Sequence, residues 1–264
     1  MGGVGTPSQP ARSMAPGGKD LPSILAAVLA KELAKLTAFG IVSTIVVCYG
    51  TAVYLGHVPL FLPMISDCYV QSPEKYVSRF GMLVFGAVGL ALNVVLMASY
   101  LSRFTSRAAS GKASGGQVMN EVATWVGLVA ALGFAVVGCV NEKENNSLHT
   151  AGALVGFFGL NVYDYVVTAL LYVHAQDGAA SQGSLRVKLY LSLAGTTLLG
   201  TFTYLAANGW WEKGRWAIAS CEWLGVLHIL AYVLSYSLEF HENLSVGDVW
   251  DESGRTGSRG GEAG

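Results

Sequence analysis

Long apolar runs alternate with short polar connections along the chain, and six of these runs are long enough to cross a bilayer. A hydrocarbon core about 30 Å thick requires roughly 20 helical residues. This pattern predicts an all-α polytopic membrane protein built as a six-transmembrane-helix bundle. The predicted spans are Leu36–Leu55, Phe80–Leu101, Val122–Val140, Thr150–His174, Val187–Ala207 and Ala219–Phe240.

Composition agrees with this class. Hydrophobic residues make up 52% of the chain and charged residues 12%, whereas soluble domains carry about 25% charged residues. Thirty-three glycines suit helices that pack closely in lipid. The net charge of −1 and the lack of a basic patch argue against nucleic acid as a partner. Membrane lipids are therefore the expected partners, and no cofactor is predicted.

The remaining segments are short. Residues 1–20 and 241–264 are rich in Gly, Ser and charge, which predicts disordered tails flanking a membrane domain at 36–240. Residues 21–35 mix apolar positions with Lys and Glu and predict an amphipathic juxtamembrane helix. Gly2 in "MGGVGT" fits an N-myristoylation site, although a Gly-rich tail would look the same.

Positive charge predicts the orientation. Lys and Arg are concentrated in the two tails and in the connections on the same side, so both termini are expected to face the cytosol. The glycosylation sequon at Asn145 would then lie outside and the one at Asn243 inside. The residues assigned to the cytosolic side are Arg12, Lys19, Lys31, Lys35, Arg103, Arg107, Lys112, Arg186, Lys188, Arg255 and Arg259. Those assigned to the outer side are Lys75, Arg79, Lys143, Lys213 and Arg215.

Polar side chains in the spans form a belt near the predicted midplane. A rise of about 1.5 Å per residue places Asn93, Asn161, Asp164 and His228 at similar depths. They can be structural, hydrogen-bonding one helix to another, or they can mark a proton- or ion-coupled path. We favour structural bonding, with Asp164 and His228 as the preferred pair.

A second set of polar residues lies at the predicted outer face. Asp67, His149 and Glu222 are residue types that could form a metal site or an acid–base pair. Their scattered spacing favours a structural network that holds the first outer loop on the bundle, so no metal is predicted. Cys68 could form a disulfide with Cys139 or Cys221 in an oxidising compartment; small buried thiols are the alternative.

Four motifs occur in order at the outer ends of the spans: "LPMISD", "SPEKYVSRFGM", "NEKENNSLHTAGALVGFF" and "CEWLGVLHILAYVLSYSLEF". Together they resemble the Frag/DRAM/Sfk family of six-span eukaryotic proteins over about Leu36–Phe240. The family includes autophagy modulators, relatives of a suppressor of a phosphatidylinositol 4-kinase defect, and Golgi proteins that remodel GPI-anchor lipid. The signature positions correspond to Pro63, Ile65, Ser66, Asp67, His149, Glu222 and Trp223.

The resemblance implies a function in membranes but leaves three alternatives. The first is a non-enzymatic modulator of lipid organisation, phosphoinositide signalling or autophagy, with a lipid-kinase or trafficking complex as cytosolic partner. The second is an intramembrane lipid-remodelling enzyme of the GPI-anchor type, and the third is a small ion- or proton-coupled transporter. The implied location is an endomembrane (lysosome, Golgi or ER) or the plasma membrane. Autophagy modulators of this family usually carry two cysteines in the first outer loop, where this chain has only Cys68.

Overall fold

The computed structural model describes residues 21–106 and 115–243. These residues form helices and connecting loops, without a strand in either range. Both predicted tails, apart from residues 241–243, and the candidate myristoylation site at Gly2 lie outside the described residues. The predicted six-span helical fold is confirmed, because six helices are long and apolar enough to cross a membrane. They are Glu32–Tyr54, Glu74–Thr105, Gly115–Cys139, Glu142–Val173, Gln182–Ala207 and Arg215–Phe240.

The first span belongs to helix α1, which is continuous through the segment predicted as a separate juxtamembrane helix. The second span consists of α2, a π-helical segment at Met82–Gly89, and α3, without a break between them. The short helix α7 lies between the last two spans. The bounds are α1 Leu21–Tyr54, α2 Glu74–Gly81, α3 Leu90–Thr105, α4 Gly115–Cys139, α5 Glu142–Val173, α6 Gln182–Ala207, α7 Trp210–Lys213 and α8 Arg215–Asn243.

The spans are arranged in chain order around the bundle, and α8 closes the ring against α1. One end of the bundle, which we call the first-loop end, carries the loop at residues 55–73 and the connections before α5 and α8. The other, the tail end, carries the connection from α5 to α6 and the end of α8. At the tail end the Tyr100 hydroxyl donates to the Ala179 carbonyl oxygen at 2.7 Å.

Glycine allows α4 and α5 to approach closely. A Cβ added at Gly133 would lie 2.6 Å from the backbone nitrogen of Gly156 and 2.7 Å from the carbonyl oxygen of Gly152. Any side chain at Gly133 would therefore push the two backbones apart. Small residues that bring helix backbones into contact are a common basis of packing in lipid. Apolar side chains gain little by moving from lipid to a helix interface, because both surroundings are apolar.

All six spans begin earlier than hydropathy predicts, and the fourth does so by the most residues. The second begins at Glu74 rather than Phe80, and the fourth at Glu142 rather than Thr150. The early start of α5 has a local cause, because Asn141 forms a capping box for its first turn. Its side chain accepts from the backbone nitrogens of Lys143 and Glu144, and the Glu144 carboxylate accepts from the Asn141 backbone nitrogen. Such a cap starts a helix whether or not the next turn is apolar. The helix is then kinked at Asn145, whose backbone is not helical and whose side chain accepts from the Leu148 backbone nitrogen at 3.0 Å.

Candidate functional site

Helix α8 holds the first loop through two adjacent side chains. The Glu222 carboxylate accepts from the backbone nitrogen of Ile65 at 2.8 Å and from that of Ser66 at 3.3 Å. The Trp223 indole N–H donates to the Pro63 carbonyl oxygen at 2.8 Å. We call these five residues the loop tether. Backbone N–H groups at the start of a helix have no acceptor within that helix. Here the Glu222 carboxylate is the acceptor for the N–H groups at the start of the short 3₁₀ helix Ser66–Tyr69.

The other two outer candidates have partners of their own. Asp67 forms an ion pair with Arg215 at 2.7 Å, and the arginine side chain is 56% exposed. The Nδ1 atom of His149 lies 2.7 Å from the Val140 carbonyl oxygen, to which the imidazole N–H donates. His149 therefore does not bridge the carboxylates of Asp67 and Glu222. The three residues lie at the same end of the bundle, and Asp67 interacts electrostatically with Glu222. Asp67 also hydrogen-bonds Glu142, which in turn interacts with His149.

One further contact at this end escaped the sequence interpretation. Nδ1 of His57, at the end of α1, lies 2.6 Å from the carboxylate of Glu74, which is almost fully buried at the start of α2. This pair closes the base of the first loop, because His57 lies near the start of the loop and Glu74 directly follows its end. The signal was present in the sequence: Glu74 lies inside the "SPEKYVSRFGM" motif, but that motif does not identify its partner.

All four cysteines are free in the structure, so the pairing of Cys68 with Cys139 or Cys221 is not found there. The Cys68 thiol is buried and donates to the Met64 carbonyl oxygen. Burial, together with the negative charges of Asp67 and Glu222, raises the pKa of Cys68 to about 12. The thiol is therefore a packed, unreactive group within the loop.

The structure brings members of the midplane belt together. Asn93 and Asp164 line the same small cavity, and Nε2 of His228 lies 3.8 Å from Oδ2 of Asp164. That distance is too long for a direct hydrogen bond between the two side chains.

The fourth member, Asn161, forms its hydrogen bonds with α6 and not with Asp164. It donates to the Ser192 carbonyl oxygen at 3.1 Å and accepts from the Thr196 hydroxyl at 3.0 Å. Gly195 leaves room for this contact, because a Cβ there would lie 2.6 Å from Nδ2 of Asn161 and 2.6 Å from Cε1 of His228. The belt therefore ties α5 to both α6 and α8.

A buried ion pair lies between the belt and the tail end. Lys188 of α6 and Glu239 of α8 are 3.1 Å apart, and both side chains are fully buried. Ser184 donates to the same carboxylate, and Lys188 donates to Ser235 at 2.5 Å. The sequence interpretation counted Lys188 among the basic residues on the cytosolic side of the spans, and the structure adds that its side chain is fully buried. In the sequence, Glu239 near the end of the last apolar run could have indicated a partner for Lys188.

Comparison with known proteins identifies the family. The family model described as Frag1/DRAM/Sfk1/Cwh43P N-terminal domain matches residues 31–243. The chain belongs to this family. The match covers all six spans and the loop tether of this Frag1/DRAM/Sfk1 protein, so the resemblance predicted from its motifs is confirmed. No solved structure matches the chain.

Curated relatives carry two kinds of name. The chain is 29% identical to the modulator of macroautophagy TMEM150B of Xenopus tropicalis over 198 residues, 74% of this chain and 79% of the relative. It is 25% identical to the acyltransferase PGAP2 of Danio rerio over 196 residues, 70% of this chain and 82% of the relative. It is 29% identical to the DNA damage-regulated autophagy modulator protein 2 of Bos taurus over 125 residues, 47% of this chain and 44% of the relative.

Proposed function

We propose that this integral membrane protein is a non-enzymatic modulator of lipid organisation and, through it, of autophagy. The observation that carries the proposal is that Asp67, His149 and Glu222 each form hydrogen bonds that support the fold. Each is engaged by its own structural partner, whereas a catalytic set must converge on one reacting group. The relatives named as autophagy modulators support the same function, and an endomembrane or the plasma membrane is its site of action.

Lipid analysis of cells that lack the protein tests this proposal. Re-expression of the wild type should restore membrane lipid distribution and autophagic flux. His149→Ala, if it reaches wild-type abundance, should restore them equally well, since the hydrogen bond of His149 is a structural one to the Val140 carbonyl oxygen. Exposed Lys143→Ala on the same end of the bundle is the matched control. A defect in lipid composition that wild type corrects and an abundant His149→Ala does not would refute the non-enzymatic proposal.

A second function, lipid remodelling by acyl transfer, is favoured by one observation: the relative named as an acyltransferase spans most of this chain's membrane region. It requires that the first loop move so that His149 reaches Glu222 or Asp67. Feeding cells a labelled fatty acid distinguishes the two functions. Transfer of label to a lipid in wild-type but not in Glu222→Gln cells, at equal abundance, would establish the enzyme and refute the modulator.

We further propose that both termini face the cytosol, where the tail end would meet a lipid-kinase or trafficking complex. The distribution of Lys and Arg supports this orientation. Its test is the use of the two sequons: Asn145 lies at the first-loop end, near the start of α5, and Asn243 at the end of α8. Glycan on Asn243 would contradict the orientation, and protection of an engineered tag on either tail in sealed vesicles provides a second measurement.

A further inference from the structure

A small cavity lies inside the bundle where α3, α5 and α8 meet. It has room for about one water molecule. Its polar lining comes from Asn93, Tyr163, Asp164 and Tyr236, and the rest is apolar. The first three of these residues are almost completely buried. This cavity lies deep in the membrane domain and is separate from the loop tether.

At the cavity one amide oxygen has no hydrogen-bond partner in the part of the chain that the structure describes, and one hydroxyl has a single partner. Asn93 is held in place by its amide nitrogen, which donates to the Thr37 hydroxyl at 2.9 Å and to the Gly89 carbonyl oxygen at 2.8 Å. Its Oδ1 is left unpartnered, and the hydroxyl of Tyr163 interacts only with that of Tyr236. A buried oxygen without a partner costs about 1–3 kcal/mol, so a ligand that both groups could contact would be stabilising.

The charges near the cavity do not balance within the protein. Among α5, α6 and α8 the core contains two carboxylates, Asp164 and Glu239, against one ammonium group. Lys188 is 3.1 Å from Glu239 and donates to Ser235, so it is committed to the neighbouring acid. Asp164 lies 3.8 Å from the His228 imidazole, and Lys188 interacts with it only at longer range than with Glu239. A carboxylate in this environment is costly unless a positive charge accompanies it.

We propose that the cavity is a binding site for one Na⁺ ion, with the Asp164 carboxylate, Asn93 Oδ1 and the Tyr163 hydroxyl oxygen as protein ligands. Hard cations prefer oxygen ligands of these types. A single positive charge matches the excess of one carboxylate over the single Lys188 ammonium group. Na⁺ fits a cavity of this size better than the larger K⁺. The ion would join α3 to α5 and lie beside α8, so its binding should stabilise the bundle.

Thermal unfolding of the full-length protein in lipid nanodiscs tests this site. Na⁺ is varied against choline at constant ionic strength, with K⁺ as a third series. Above the dissociation constant, each tenfold rise in ligand adds about 1.4 kcal/mol of stability. For a chain of this size that corresponds to a rise in Tm of about 3–5 °C. We expect this rise in Na⁺ and none in choline, with a smaller effect of K⁺.

Two variants and a matched control locate the effect. Asp164→Asn should abolish the Na⁺-dependent rise. Tyr163→Phe removes a hydroxyl whose one protein partner is the Tyr236 hydroxyl, so it should still fold and should weaken Na⁺ binding on the order of tenfold. Tyr69→Phe is the control, because Tyr69 is equally buried with an unpartnered hydroxyl at the first-loop end. Its Na⁺ dependence should equal that of the wild type.

The proposal is overturned if wild-type Tm is the same in Na⁺ and choline. That result would mean that a bound proton, on the Asp164 carboxyl or on the His228 imidazole, balances the charge. It is also overturned if Tyr163→Phe responds to Na⁺ as Tyr69→Phe does. Should Asp164→Asn fail to fold, the comparison of the two tyrosine variants still decides. Retention of radioactive Na⁺ by wild type and its loss in Tyr163→Phe would be direct support.

Discussion

Replacing Glu222 by alanine removes the part of the loop tether that α8 contributes through a carboxylate. Both carboxylate oxygens accept backbone N–H groups, from Ile65 at 2.8 Å and from Ser66 at 3.3 Å. Neither residue is exposed to solvent, so water cannot readily replace the lost acceptor. The Trp223 bond to the Pro63 carbonyl oxygen remains. The first loop should therefore stay close to the bundle but open more often.

The size of this effect follows from the two bonds. A buried donor left without a partner costs about 1–3 kcal/mol, and the bond to Ser66 is the weaker because it is longer. We therefore expect the free energy of loop opening to fall by about 2–4 kcal/mol. At about 1.4 kcal/mol per tenfold change, the population of the open loop should rise about 30- to 1,000-fold.

Maleimide labelling of Cys68 measures loop opening. The assay requires Cys48, Cys139 and Cys221 to be replaced by alanine. Because the Cys68 pKa is raised from 9.0 to about 12, the closed loop at neutral pH holds about a thousandfold less thiolate than a free thiol. Labelling should therefore proceed through the open state.

The same pKa shift makes stability depend on pH. The pKa of Cys68 is higher in the folded protein than in the unfolded chain, so this thiol stabilises the fold below pH 9 and ceases to do so as the pH rises toward 12.

Two variants set the scale for this experiment. Arg215→Gln breaks the exposed ion pair with Asp67, which is worth at most about 1 kcal/mol, so it should speed labelling no more than about fivefold. Glu222→Gln retains one acceptor oxygen of the two and should fall between Arg215→Gln and Glu222→Ala. Labelling of Glu222→Ala within the range of Arg215→Gln would refute the tether, as Glu222 would then contribute no more than a surface charge.

Three further predictions concern the membrane core. Lys188→Met alone should destabilise the bundle by about 3–5 kcal/mol, because it leaves the Glu239 carboxylate unpaired. The double variant Lys188→Met with Glu239→Leu should lose much less stability, and unfolding in mixed micelles measures both. If Asp164 and His228 interact across 3.8 Å, the double alanine variant should lose about 0.5 kcal/mol less than the sum of the single losses; strict additivity would show that they do not. Gly133→Leu should separate α4 from α5, lowering Tm and abundance, and a normally folded variant would contradict the close packing.

Most of the fold could be read from the sequence, because membrane thickness imposes a length on each span that any long apolar run reveals locally. The depth of a residue follows from the same count along the helix. That is why the sequence places Asp164 and His228 at one level, and the structure does bring them near each other. Helix ends were less predictable, because Asn141 starts α5 by hydrogen bonds that hydropathy does not register.

The choice of partners was decided only by the tertiary structure. Sequence position alone counts Lys188 among the charges on the cytosolic side, and only the rotation of α6 against α8 turns it inward to Glu239. Glu222 could equally have met His149, but the folded loop presents the backbone N–H groups of Ile65 and Ser66 to it. Backbone donors are present at every residue and leave no pattern in a sequence. Which of them is left unpaired beside a carboxylate depends on how the loop closes over the helices.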